Sequence, residues 1–154
     1  MTAGRLSAEH AAILAAVLDR LIPADEHGPG AQEARVARYI ERALAAEHRE
    51  HRDAYFRGLS TLQASARASH GAGFEELDAE AQDTLLAATE RAAGSAAFFE
   101  LVRTHAIEGM FGDPRWGGNH GLIGWELLGY PGPRREWSAR AQQLDVAPDR
   151  AQRA

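Results

Sequence analysis

The chain has 154 residues, 45% of them hydrophobic and 25% charged, with a formal net charge of −5. That length suits one domain with a core of its own, and the composition is that of a folded chain rather than a disordered one. It contains neither cysteine nor lysine, which excludes disulfides, thiol catalysis, cysteine zinc sites, Schiff-base chemistry and a P-loop. The acidic balance offers no broad face to nucleic acid.

In chain order, the segment Met1 to Ser7 has one Arg, no apolar stretch and no twin-Arg pair, so no export signal is read and a cytoplasmic location is expected. The alternative is a periplasmic protein whose signal was removed or lies upstream. Ser7 is placed to cap a helix running to Ile22, with Leu6, Ile13, Leu14, Val17, Leu18, Leu21 and Ile22 on one face. Pro23 stops it, and Ala24 to Gly30 is dense in turn formers. A second helix is predicted over Ala31–Glu47, striped by Val36, Tyr39, Ile40, Ala43 and Leu44. A third covers Arg49–Ser69, with Tyr55, Leu59 and Leu62 inward. His70 to Gly73 breaks the pattern, and Phe74 and Leu77 plug the core beside the break. Asp78 caps a fourth helix through Arg91. Ser95 is positioned to cap a fifth and central one, carrying Phe98, Phe99, Leu101, Val102, Ile107 and Met110. A short helix is predicted over Leu122–Leu128. The expected architecture is all-α: an irregular bundle of five to six helices in a single domain, 1–132, ending in a Gly/Trp-rich region. A polar, Arg-rich tail follows over 133–154. No apolar run approaches the roughly 20 residues of a membrane span.

Four places attract a functional reading. His105 and Glu108 lie three apart on one helical face, followed by Asp113 and His120. A Glu/His pair on a helix can bind iron or zinc, so one alternative is a stand-alone metal-dependent enzyme using these four residues. The other is a polar helix end held by local hydrogen bonds. In His48-Arg49-Glu50-His51, two histidines at i and i+3 either share a cation or line a solvated helix face. Asp25, Glu26 and His27 sit in a loop, as acid–base groups or as turn formers.

The fourth place is Phe111 to Gly132. Seven glycines lie between Gly112 and Gly132, with Trp116, Trp125 and Tyr130 among them. Glycine admits close approach of another surface, and Trp, Tyr and Arg are enriched at binding hot spots. Asp113-Pro114 sets a turn, and Gly117-Gly118-Asn119 reverses the chain. The residues singled out for partner contact or loop architecture are Asp113, Pro114, Arg115, Trp116, Gly117, Gly118, Asn119, Trp125 and Tyr130. The competing reading is a loop packing its own aromatics over the helix ends. The spacing does not match GxGxxG, so no dinucleotide site is read.

The blocks Phe98 to His105, Glu108-Gly109-Met110-Phe111-Gly112-Asp113-Pro114-Arg115-Trp116-Gly117-Gly118-Asn119, and Gly124 to Gly132 resemble the small-subunit (subunit 3) family of gluconate 2-dehydrogenase. Leu21-Ile22-Pro23-Ala24-Asp25 with Gly28 to Ala31 and Tyr39-Ile40 is similar to the same family's N-terminal signature. The resemblance implies a helical, non-catalytic accessory subunit. Its partner would be a large FAD-dependent dehydrogenase of the glucose–methanol–choline type, acting on a sugar, sugar acid or glycoside. An electron-transfer subunit sometimes completes such a complex. FAD is thus expected on the partner, and no catalytic, cofactor-binding or metal-ligating residue on this chain. Many family members carry a twin-arginine signal, which is not seen here. Without Cys-x-x-Cys-His the chain holds no c-type haem. Under this resemblance His105, Glu108 and Asp113 read as supports for the loop.

Overall fold

The computed structural model describes residues 5–133. The tail predicted beyond Pro133 and the first four residues lie outside that range. Among the described residues there are six α-helices: α1 Ala8–Leu21, α2 Val36–Ala45, α3 Arg52–His70, α4 Ala79–Arg91, α5 Ala96–Phe111 and α6 Ile123–Leu128. No β-strand occurs among them, so the all-α expectation holds.

The N-terminal signals act as read. The Ser7 hydroxyl accepts the His10 N–H at 3.1 Å, and α1 stops before Pro23. Its Ile13, Leu14, Val17 and Leu18 are buried, the i, i+1, i+4, i+5 spacing of one apolar stripe. The second helix starts later than Ala31. Ala31 to Arg35 form tight turns instead, with Glu33 Oε2 accepting the Gly30 N–H at 3.0 Å and Arg35 at φ 56°. Ala31 and Ala34 are buried there, because side chains this small let the turn lie against the core. From Val36 the periodicity takes over, burying Val36, Ile40, Ala43 and Leu44.

A 3-10 turn over Arg49–His51 leads into α3, whose Tyr55, Leu59, Leu62 and Ala66 face inward. Phe74 fills the core beneath the α3–α4 connection. Its backbone is satisfied by two buried glutamines: Gln63 Oε1 accepts its N–H at 2.7 Å, and Gln82 Nε2 donates to its carbonyl at 2.9 Å. These bonds let a main-chain segment enter the interior without an orphaned polar group. Asp78 caps α4 through the Ala81 N–H at 2.9 Å.

Helix α5 is the central element and touches each of the other five helices. Two expectations for it need correction. Ser95 makes no side-chain cap; its backbone is not in the extended conformation a cap requires, and its hydroxyl donates to the Thr89 carbonyl at 2.8 Å. Ile107 is half-exposed rather than buried. The inward face runs through Phe98, Phe99, Val102, His105, Ala106, Gly109 and Met110, and Ile107 falls off that face.

Candidate functional site

The segment after α5 is a folded loop, tied down at both ends. Gly112 closes α5 through its N–H to the Glu108 carbonyl at 2.8 Å. Asp113 Oδ1 accepts the Arg115 N–H at 3.0 Å, capping a 3-10 turn over Pro114–Trp116. Gly117 ends that turn at φ 107° against the Arg42 side chain, and Arg42 Nη1 donates to the Arg115 carbonyl at 3.2 Å.

Asn119 joins the parts. It is fully buried at φ 44°. Its backbone N–H reaches the Gly109 carbonyl at 2.7 Å. Its side-chain Nδ2 donates to the Gly112 carbonyl at 2.9 Å, and its Oδ1 accepts the Gly124 N–H at 2.9 Å. One side chain thus holds the C-terminus of α5, the loop and α6. Gly118 and Gly124 make the close approach possible, since a Cβ at either would fall on a backbone carbonyl of α5, of Gly109 and Met110 respectively. The His120 N–H reaches back to the Ala34 carbonyl at 3.1 Å. Trp125 is half-buried; its Nε1 donates to the Phe111 carbonyl at 2.7 Å, and Tyr130 packs edge-on to its ring at 5.0 Å.

Much of what this architecture leaves outward is apolar, beside the exposed Arg115, His120 and Glu126. Trp116, Leu122, Leu127, Leu128 and Tyr130 are all more than 40% exposed. Elsewhere among the described residues only Phe56 and Ile107 are large hydrophobics of comparable exposure. The Arg115 guanidinium lies 5.2 Å from the centre of the Trp116 ring. Beside Trp116 a hollow of about 510 Å³ opens against α2, walled by Tyr39, Arg42, Ala43, Ala46 and His48. Arg42, Leu122, Leu127 and Leu128 were not among the residues expected at this site from the sequence. The signal for Leu127 and Leu128 was there, in an α6 too short to bury all its apolar residues.

The other candidate groups separate. Asp25 Oδ1 accepts the His27 and Gly28 N–H groups at 2.7 and 3.2 Å, and Asp25 pairs with Gly28 through the backbone, so that loop is a tight exposed turn. The quartet His105, Glu108, Asp113 and His120 is not assembled. Among the described residues no cluster of three potential metal ligands contains Glu108, Asp113 or His120. Glu108 Oε2 accepts the Tyr39 hydroxyl at 2.8 Å, tying α5 to α2, while Asp113 serves its cap. Burial, reinforced by the Glu108 carboxylate, pushes the Tyr39 hydroxyl up, so it remains a donor. His105 is buried, and Nδ1 shares a hydrogen bond with the Tyr55 hydroxyl at 3.0 Å. Burial pushes the His105 imidazole down; Glu108 opposes this, and His48 and His51 add to it.

With this geometry in place, the family pattern of gluconate 2-dehydrogenase subunit 3 matches residues 8–132. The chain belongs to that family. Neither a curated protein nor a solved structure matches it. Membership makes it a subunit of a dehydrogenase complex, and the match ends at the Gly132 that closes the loop region. No helix among the described residues is long and apolar enough to cross a membrane.

Proposed function

We propose that this subunit is a non-catalytic partner of an FAD-dependent dehydrogenase of the glucose–methanol–choline type. It docks through the outward side chains of Phe111 to Gly132 and so stabilises the large subunit. The carrying observation is the concentration of Trp116, Leu122, Leu127, Leu128 and Tyr130 in one short segment whose backbone is fixed from beneath. Exposed apolar groups concentrated in one short segment of a small protein favour an interaction surface. A rigid backbone under them lowers the ordering cost of binding. Arg115, stacked on Trp116, supplies the charged rim. In this reading the flavin, the substrate and the reaction all belong to the large subunit.

The test is co-purification. The tagged chain, expressed with a neighbouring dehydrogenase gene, should retain a yellow flavoprotein. Trp116→Ala should weaken the complex by about 2–4 kcal/mol, the range of a hot-spot truncation. Its thermal midpoint alone should be nearly unchanged, because the ring is half-exposed. Failure of the wild-type chain to retain any flavoprotein would overturn the proposal. Unchanged affinity of the Trp116 variant would remove Trp116 from the contact.

A further inference from the structure

A second cluster adjoins the hollow beside Trp116, to whose wall it contributes His48. His48 and His51 flank the 3-10 turn between α2 and α3, and His105 comes from the middle of α5. One ring nitrogen from each lies within 4.8 Å of the other two. The ring centres are 4.8, 5.6 and 5.8 Å apart.

We propose that His48, His51 and His105 form a binding site for a zinc-class divalent cation, which staples the α2–α3 junction to the central helix. Four features carry this. First, the turn has 3-10 geometry, in which side chains three apart eclipse, so His48 and His51 present their rings on the same side. Second, His105 is oriented from behind. Tyr55 holds Nδ1 and its ring lies nearly parallel, at 7°, which leaves Nε2 as the free nitrogen. In the tautomer in which Nδ1–H donates to the Tyr55 oxygen, Nε2 carries the lone pair a metal requires, and metal binding selects that tautomer. Third, the Glu50 carboxylate lies 3.9 Å from His48 Nδ1 and 3.7 Å from His51 Nε2; it stands outside the three-histidine group but close enough for its negative charge to offset that of a bound cation. Fourth, the required movement is confined to side chains: the His48 ring, stacked on His105 at 20°, must turn until its nitrogen points at the ion. Tetrahedral coordination at Zn–N distances of 2.0–2.1 Å puts ligand nitrogens about 3.3 Å apart. The rings of His48 and His51, about one-third exposed, can close that gap by side-chain rotation. Three imidazoles select borderline cations such as zinc over calcium or magnesium, which require oxygen. The site shares only the wall residue His48 with the hollow beside Trp116 and uses no side chain of Phe111 to Gly132, so its test does not depend on the docking reading.

The test uses the full chain, stripped with a chelator and titrated with Zn²⁺ by calorimetry and with Co²⁺ by visible absorption. One equivalent should bind, with a tetrahedral Co²⁺ spectrum and a raised thermal midpoint. His51→Ala and His48→Ala, both in a surface turn, should each lower the affinity at least about tenfold. Tyr55→Phe, which keeps the ring but removes the hydroxyl behind His105, should cost about 10–100-fold. His27→Ala, in an exposed turn elsewhere, should bind as wild type. No stoichiometric binding, or an affinity that ignores His48 and His51 or falls equally in the His27 variant, would overturn the assignment.

Discussion

Replacing Asn119 with Ala tests whether one side chain holds the loop. The variant loses the Nδ2 bond to the Gly112 carbonyl and the Oδ1 bond from the Gly124 N–H, each 2.9 Å in the native protein. The first is partly buried, so water can replace the donor, and its loss costs about 1 kcal/mol. The second is fully buried and leaves the Gly124 N–H without a partner, at about 1–3 kcal/mol. The residue also sits at φ 44°, ψ 43°, a left-handed conformation that Asn tolerates and that costs alanine about 1 kcal/mol. The sum is about 3–5 kcal/mol, a large share of the roughly 5–15 kcal/mol that keeps a domain folded. Urea unfolding, followed by tryptophan emission and far-UV dichroism, reads it directly. At a slope of about 2 kcal/mol/M the midpoint should fall by about 2 M. Asn119→Gly separates the causes, because it accepts the backbone conformation but makes neither bond, so most of the loss should persist. An alanine variant within about 0.5 kcal/mol of wild type, the ordinary range of a surface change, would refute the account. Full recovery in the glycine variant would assign the effect to backbone strain rather than hydrogen bonding.

Two further outcomes follow from the packing. Gly124→Ala places a methyl on the Met110 carbonyl, which backbone cannot yield cheaply, so α6 must lift from α5. A loss of about 1–3 kcal/mol is expected, with a red shift of Trp125 emission, and an unchanged midpoint and spectrum would show that the two helices do not meet there. Arg20 grips Asp83 through two bonds of 2.7 and 2.8 Å between α1 and α4. The Arg20 hydrogen bond holds the Asp83 carboxyl below its ordinary value, against a small opposing effect of burial. Its contribution is therefore present above the ordinary carboxylate pKa and is lost as pH falls through the lower folded value. Because the pair is solvent-exposed, Asp83→Asn should cost under about 1 kcal/mol at neutral pH and flatten the acid limb of the stability profile. A steeper acid limb in the variant would reverse the sign and defeat the argument.

Much of this protein was legible before any tertiary contact was considered. The stripes of α1, α2 and α3, the caps at Ser7 and Asp78, and the breaks at Pro23 and Gly71 depend on residues within one or two helical turns of each other. That is the distance over which helical periodicity and capping operate. The family blocks from Phe98 to Gly132 were likewise a property of the linear sequence.

Other features depended on neighbours distant in sequence. Ser95 had the residue type of a cap, yet its hydroxyl turned to Thr89 because the α4–α5 connection set its backbone. Nothing local distinguished Ile107 from Met110; the packing of five helices around α5 chose which face went inside. In the Gly/Trp-rich stretch, residue types gave a docking loop, with a structural loop as its rival. The fold separates the atoms: Asn119, Gly118, Gly124 and the Trp125 indole nitrogen hold the loop, while Trp116, Leu128 and Tyr130 face outward and remain open to the proposed partner. His105 was first paired with Glu108, three residues away on the same helix. The tertiary structure instead gives Glu108 to Tyr39 and brings His48 and His51 to His105. A helix places neighbours in sequence on a shared face, but only packing of one helix on another decides which side chains meet across it.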